Sequence, residues 1–314
     1  MKIQRIFRKS RILLIIAGFT CLTFFSGCIF EDLDGCAEYN LDIVVKDVYG
    51  SVLSLKTLDS LTIYLFNQEG YIRMIKAAVK GQDIRIGYER DDQLTLIAWG
   101  NLKNDSLVAP ALTKGMSLED GIVRLRETGS CNLLPTDLFY SLQTYSESDT
   151  SSSVSSGVTM RSNNVGSDTL LLIMNRTIAH VKLTAKNMSE CFGTDTAGYH
   201  FVVQGLHDAL SFYGEPLGDT ARYIPASYWI ADDVLYAPVF RILPVLEDSV
   251  DDFQSLSLYR GNTKLFTTHT DSKGQLLRVK AGEQMNVTID FHYAQAYITV
   301  TISPWDETTQ ETEL

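Results

Sequence analysis

The sequence predicts an all-β protein with two tandem β-sandwich domains behind a signal peptide. Apolar and polar residues alternate in short runs along most of the chain, which is the period of strands with one buried face. No helical period extends beyond about ten residues. Removing residues 1–27 leaves 314 − 27 = 287 residues. That length suggests two domains, each able to bury its own core.

A lipoprotein signal peptide is predicted over residues 1–27. Five cations precede an apolar run, Ile12–Phe25, and Ser26 and Gly27 then lead into Cys28. This order is typical of a secretory signal, and a cysteine directly after two small residues indicates a bacterial lipoprotein whose Cys28 is acylated. The apolar run of 14 residues is shorter than the roughly 20 that cross a bilayer as a helix. Because Phe25 stands where such signals more often carry Leu, an ordinary signal cut near Gly27, leaving Cys28 as a free thiol, stays the alternative.

The N-terminal domain is predicted over residues 39–160, after an acidic tether at residues 28–38. Alternation begins at Leu41–Val45 and returns at Leu61–Phe66, where it ends in the turn signal Asn67–Gly70. Pro135–Leu142 predicts a short helical turn, with Thr136 or Asp137 as its cap. Further strands are predicted at Tyr71–Lys76, Ile84–Tyr88 and Gln93–Trp99.

The C-terminal domain is predicted over residues 161–314. Residues 144–169 hold few apolar side chains and cannot build a core, so we interpret them as a long loop or interdomain linker. Arg260–Thr263 predicts a two-residue hairpin turn, and an acidic tail follows at residues 306–314. Other strands are predicted at Thr169–Met174, Thr177–Lys186, Tyr199–Gln204, Leu256–Tyr259, Gln284–Tyr293 and Gln295–Ile302.

The charge of the mature chain argues against nucleic acid as a partner. The signal peptide holds five cations and no acids, so the formal charge falls to −11 − 5 = −16. Binding to phosphates needs clustered Lys and Arg. Adsorption to anionic lipid is disfavoured for the same reason, which leaves the acyl chains of Cys28 as the membrane attachment.

The cysteines and histidines indicate neither a metal site nor an active site. Besides Cys28, the mature chain keeps Cys36, Cys131 and Cys191, and Cys36–Cys131 is the favoured candidate for one disulfide in an exported protein. Their spacing matches no zinc site, and the five histidines are scattered singly. No motif pairs a nucleophile with a base, so we expect no enzyme activity, no metal and no cofactor.

One aromatic cluster is a candidate binding surface. Tyr223, Tyr228 and Trp229 fall in a stretch that shows no clear period. Aromatic side chains on loops bind sugars or partner proteins, and Tyr and Trp are enriched at the centres of interfaces. Packing beneath a long loop is the alternative.

The order of landmarks resembles the FimB-type fimbrium-anchoring lipoproteins, a branch of the FimA-like pilin superfamily. The resemblance spans nearly the whole chain and rests on Cys28 with Cys36 shortly after it, followed by Leu61–Gly70 (LTIYLFNQEG), Leu94–Gly100 (LTLIAWG), Asp137–Tyr140 (DLFY) and Asn175–Leu183 (NRTIAHVKL). It implies two transthyretin-like β-sandwich domains and a role in holding a fimbrial shaft at the outer membrane. It also implies that subunits join by β-strand addition, in which backbone hydrogen bonds supply affinity.

The absence of arginine near the predicted N-terminus of the processed chain favours an anchoring subunit over a shaft subunit. The resemblance implies that shaft subunits are freed from their lipid by cleavage after an arginine. Between Cys28 and Arg73 this chain has only Lys46 and Lys56 as cations, so we expect it to stay tethered.

The last strand is the candidate segment for pairing with a fimbrial shaft or accessory subunit. Tyr297 and Thr299 alternate with Ile298, Val300 and Ile302, as a strand that fills a groove in a neighbour would. A core strand of the C-terminal domain is the equally ordinary alternative.

The sequence as a whole therefore predicts a structural, lipid-anchored subunit at the base of a fimbrium. Glu31, Asp32 and Asp34 follow the acylated cysteine and favour exposure on the cell surface. A surface glycan-binding lipoprotein and a fimbrial tip adhesin of the same superfamily remain alternatives.

Overall fold

The computed structural model describes residues 36–79, 84–89, 93–103, 105–145, 168–246, 248–293 and 295–305. Across these ranges the protein is built almost entirely of strands, which confirms the predicted all-β class. The only α-helix described, α1 (Met188–Phe192), is a little over one turn long. No helix among the described residues is long and apolar enough to span a membrane. The signal peptide, Cys28 and most of the tether lie outside the described residues.

The first part of the chain forms eleven strands. The predicted alternating segments become β2, β3, β4 and β5, close to their predicted bounds. The predicted helical turn at Pro135–Leu142 is wrong: residues 135–138 are neither helix nor strand, and a strand begins at Phe139. The strands are β1 (Cys36–Lys46), β2 (Ser60–Asn67), β3 (Gly70–Ala78), β4 (Arg85–Glu89), β5 (Leu94–Gly100), β6 (Leu107–Val108), β7 (Ile122–Leu125), β8 (Glu127–Thr128), β9 (Cys131–Asn132), β10 (Phe139–Tyr145) and β11 (Asp168–Arg176).

Seven of these strands make the first sandwich, in the order β3-β2-β5-β10-β11-β1-β4. β10 and β11 pair only at Phe139–Arg176 and Tyr140–Asn175, so the sheet opens beyond that corner. One apolar cluster joins residues of β2, β5 and β10 to residues of β11, β1 and β4. The sheet therefore closes on itself as two layers around this core.

The position of β11 corrects the predicted domain boundary. The boundary between residues 160 and 161 assigned this strand to the C-terminal domain, but β11 pairs in parallel with β1 and belongs to the first sheet. The polar segment before it joins two strands of one sheet, and composition alone does not distinguish such a connection from a linker. The chain crosses to the second half at Thr177, whose N–H donates to Leu138 O over 3.0 Å, and at Ile178.

Nine of the eleven remaining strands form a second sandwich. A sheet in the order β17-β18-β12-β21-β22 packs over a sheet in the order β16-β13-β19-β20. The predicted hairpin turn at Arg260–Thr263 joins β19 to β20. The strands are β12 (Ala179–Lys186), β13 (Tyr199–Gly205), β14 (Ala209–Ser211), β15 (Pro216–Leu217), β16 (Ala221–Tyr223), β17 (Tyr228–Ala231), β18 (Val234–Ile242), β19 (Ser255–Arg260), β20 (Thr263–Thr268), β21 (Glu283–His292) and β22 (Gln295–Pro304).

The two halves share a sheet and a core. A small sheet in the order β15-β14-β7-β6 takes two strands from each half. Beneath it, the fully buried ring of Phe212 lies 4.7 Å from the ring of Tyr64 and 6.4 Å from that of Trp99, centroid to centroid. Each sandwich is therefore held to the other by apolar packing, and not only by the connecting chain.

A buried ion pair fastens the junction between the halves. The guanidinium of Arg176, at the end of β11, donates two hydrogen bonds of 2.8 Å each to the carboxylate of Asp137. The guanidinium also lies 3.5 Å from the ring centroid of Trp305, which follows β22, and 5.0 Å from that of Phe139. The last described residue of the chain is thus locked against the end of the first sheet.

Candidate functional site

The first described residue, Cys36, lies at one end of the molecule. Cys28 is outside the described residues, but β1 begins at Cys36, eight residues later in the sequence. β1 runs in parallel with β11, whose far end leads to Thr177 and the second half. Cys36 is therefore at the end of the first sandwich that is remote from the second.

The predicted disulfide is not formed in the structure. Cys131 is a free thiol on β9, with its Sγ 3.7 Å from Nη1 of Arg222. The side chain of Cys36 lies outside the described residues. The fold keeps the two cysteines apart. Cys36 pairs with β4 at the remote end of the first sandwich, whereas β9, which carries Cys131, contacts β16 of the second sandwich.

The three residues of the predicted aromatic surface do not lie together on the surface of the protein. Tyr223 is completely buried, and its hydroxyl accepts a hydrogen bond of 3.1 Å from the N–H of Leu243. Trp229 points inward against the second core and donates from Nε1 to Thr196 O over 2.9 Å. Only Tyr228 faces solvent, because successive residues of β17 point to opposite faces of the sheet.

The candidate partner strand lies at an edge. β22 pairs antiparallel with β21 over ten residue pairs and is the last strand of its sheet. Ile298 and Val300 are half-buried and pack against the second core, whereas Tyr297 and Ile302 are largely exposed. The strand therefore contributes to its own core and has one edge that pairs with no other described strand.

Only part of that edge is available. Ile298 donates from its N–H to Ser272 Oγ over 2.6 Å and accepts at its carbonyl from Ser272 N–H over 3.0 Å. Alternate residues of a strand direct their backbone groups to the same side, so those of Val300 and Ile302 also point outward. Pro304 has no N–H to offer. We call residues 299–303 the open edge, because no described residue pairs with their outward backbone groups.

The described part of the chain contains no group of three or more His, Cys, Asp or Glu side chains close enough to hold a metal ion. His180 is buried, and burial together with the nearby charges of Arg241 and Arg176 lowers its pKa to about 2. A neutral histidine packed beneath Trp305 is a structural element of the junction.

Comparison with solved structures gives the fold. A candidate adhesin from Bacteroides ovatus has 15% identity and a TM-score of 0.61, over 86% of this chain and 95% of that protein. The fimbrial anchor protein Mfa2 from Porphyromonas gingivalis has 14% identity and a TM-score of 0.58, over 85% of this chain and 98% of that protein.

Comparison of sequences gives the family. The major fimbrium anchoring subunit FimB of Porphyromonas gingivalis is 24% identical over 96% of this chain and 95% of the relative. The model of the fimbrillin-A-associated anchor proteins Mfa1 and Mfa2 matches residues 32–311, most of the chain. The protein therefore belongs to the family of fimbrillin-A-associated anchor proteins, as the resemblance in its sequence implied.

Proposed function

We propose that this protein is a non-enzymatic, lipid-anchored subunit that holds a fimbrium at the outer membrane and contacts the fimbrial subunits through a β-strand. Acyl chains on Cys28 would provide the attachment, at the cell surface. The observation that carries the proposal is the open edge of β22, found in a chain whose relatives include a fimbrium anchoring subunit.

The N-terminal strand supports permanent attachment. β1 forms eight pairs with β11 and further pairs with β4, so it is an integral part of the first sandwich. No arginine precedes Arg73 in the mature chain. A protease that cleaves after arginine would therefore find no site between Cys28 and the end of β1.

The open edge supports strand addition. An unpaired edge offers a row of N–H and C=O groups to an incoming strand. Ser272 and Pro304 bound the row on either side, so an incoming strand would pair at Val300 and Ile302.

Two substitutions in one assay test both ends of the proposal. In a strain that lacks the native gene, the wild-type protein should keep fimbriae on the cells, with immunogold label at their base. Cys28→Ser should release fimbriae into the medium because the acyl chains are lost. Ile302→Pro should do the same while the protein stays in the membrane fraction, because proline removes an outward N–H and leaves the pairing with β21 intact.

Ile302→Ala is the matched control. It removes the same side chain but keeps the N–H, so it should retain fimbriae. Retention by Ile302→Pro would refute strand addition at this edge, and retention by Cys28→Ser would refute the lipid attachment. Label at the distal ends of fimbriae would instead favour a tip adhesin.

A further inference from the structure

The turn between β21 and β22 carries the most exposed large hydrophobic side chain described. Tyr293 is 88% exposed. β21 and β22 pair up to His292 and Gln295, and Tyr293 is the described residue of the tight turn between them. A hairpin tip of this kind needs only a tight turn, and nothing in its folding calls for a tyrosine.

Tyr293 also has an unfavourable backbone conformation. Its φ is +45°, in the left-handed region, and only two other described non-glycine residues, both asparagines, have positive φ. Two-residue hairpin turns favour Asn and Gly at such positions, because a larger side chain is strained there. A strained, exposed aromatic residue that adds nothing to the core points to a function outside the fold.

The neighbours of Tyr293 form a small aromatic platform. Tyr297 is 52% exposed, and its ring packs edge-on against His292 with centroids 6.2 Å apart. The Tyr297 hydroxyl donates to Gln295 Oε1 over 2.9 Å, which holds this ring in place. We call His292, Tyr293 and Tyr297 the hairpin tip. Ordered tyrosines with apolar rings and polar hydroxyls are well suited to a protein interface.

The hairpin tip lies at the end of the molecule opposite Cys36, the first described residue. β12 starts just after the crossing residues Thr177 and Ile178 and runs away from the first sandwich. β21 is parallel to β12, so its last residue, His292, is at the far end of the second sandwich. If Cys28 is bound to the membrane, the hairpin tip faces outward, where the base of a fimbrium must be.

We propose that the hairpin tip is the surface on which the fimbrial subunit held by this protein rests. The inference builds on the proposed function and adds a contact distinct from the open edge. The incoming strand would pair along residues 299–303, and the body of the same subunit would cover Tyr293 and Tyr297. This arrangement accounts for a strained tyrosine at a position that suits asparagine or glycine.

Tyr293→Asn separates stability from binding. Asparagine adopts the left-handed conformation more easily, so the melting temperature should rise, by about 1–3 °C for a chain of this size. Affinity for purified fimbrial subunits, measured by biolayer interferometry on the detergent-solubilised lipoprotein, should fall by at least about tenfold. Tyr293→Gly should behave alike and guards against an effect peculiar to asparagine.

Tyr49→Asn is the matched control. Tyr49 is 62% exposed but lies in the loop after β1, beside the junction, so its replacement should leave affinity unchanged. Wild-type affinity in both Tyr293 variants would overturn the inference and leave the proposed function intact. Failure of the wild-type protein to bind any fimbrial subunit would instead overturn the proposed function.

Discussion

The ion pair at the junction makes a quantitative prediction about stability. The side chain of Arg176 is 1% exposed and that of Asp137 is 18% exposed. Asp137→Ala would leave a guanidinium buried among Phe139 and Trp305 without its carboxylate. Breaking a buried pair in this way typically costs about 3–5 kcal/mol. Coulomb's law gives a similar size, about 4 kcal/mol at 4 Å with an effective dielectric constant of about 20.

Such a loss is a large fraction of the roughly 5–15 kcal/mol that stabilises a folded protein. The melting temperature should fall by about 6–20 °C, since each kcal/mol shifts it by roughly 2–4 °C at this size. Thermal and urea unfolding of the purified mature protein measure the effect. The exposed pair Lys103–Asp59, at 3.6 Å with side chains 49% and 57% exposed, supplies the control. Asp59→Ala should cost less than about 1 kcal/mol.

A double substitution tests the cause. Replacing both partners with apolar residues, Asp137→Leu with Arg176→Met, should recover most of the stability, because no charge is then left buried. The reasoning would be refuted if Asp137→Ala cost no more than Asp59→Ala. It would also be refuted if the double variant were less stable than Asp137→Ala alone.

Two further predictions concern the same core. The pKa of His180 is about 2 in the folded protein and about 6.5 in the unfolded chain, so the unfolded state binds one more proton below pH 6.5. The free energy of unfolding should therefore fall by about 1.4 kcal/mol per pH unit as the pH drops from 6.5 to about 4. In urea unfolding, His180→Gln should remove this pH dependence, whereas His269→Gln, at an exposed position, should keep it. Gly121→Ala would place a methyl group in the buried ring of Phe212 and should cost about 1–3 kcal/mol by thermal unfolding, whereas Gly205→Ala, with open space around it, should cost far less.

Strands with alternating side chains could be predicted from the sequence, because one buried face imposes a period of two. Leu61, Ile63 and Leu65 are all buried on one side of β2, as that alternation required. Tyr64 and Phe66, on the opposite side of β2, are buried as well. The small sheet of β6, β7, β14 and β15 covers this second face of β2, and its strands are too short to show a period of two in the sequence.

Other features depend on tertiary contacts that no local pattern records. Thr136 and Asp137 resemble helix caps, yet Thr136 Oγ1 donates to Asn101 O over 2.7 Å and Asp137 binds Arg176. Polar residues of this kind satisfy distant groups as readily as a helix terminus. The burial of Tyr223 likewise follows from its place on β16 within the core.

The hairpin tip was missed although its signal was present. The alternating strands predicted at Gln284–Tyr293 and Gln295–Ile302 leave a single residue between them, so the turn has to include Tyr293. Tyr293 and Ala294 are poor residues for such a turn. A residue that suits its local backbone conformation poorly is often there for a functional reason.

The parallel pairing of β1 with β11 has a mechanical consequence for a subunit attached at Cys28. Tension from a fimbrium would pull β1 by its first residue and β11 by its last, in opposite directions. The eight pairs between Tyr39–Asp168 and Lys46–Asn175 would then be loaded in shear, all at once, and could not unzip one by one. The seven parallel pairs between β12 and β21 would be loaded in the same way by a force applied at Tyr293.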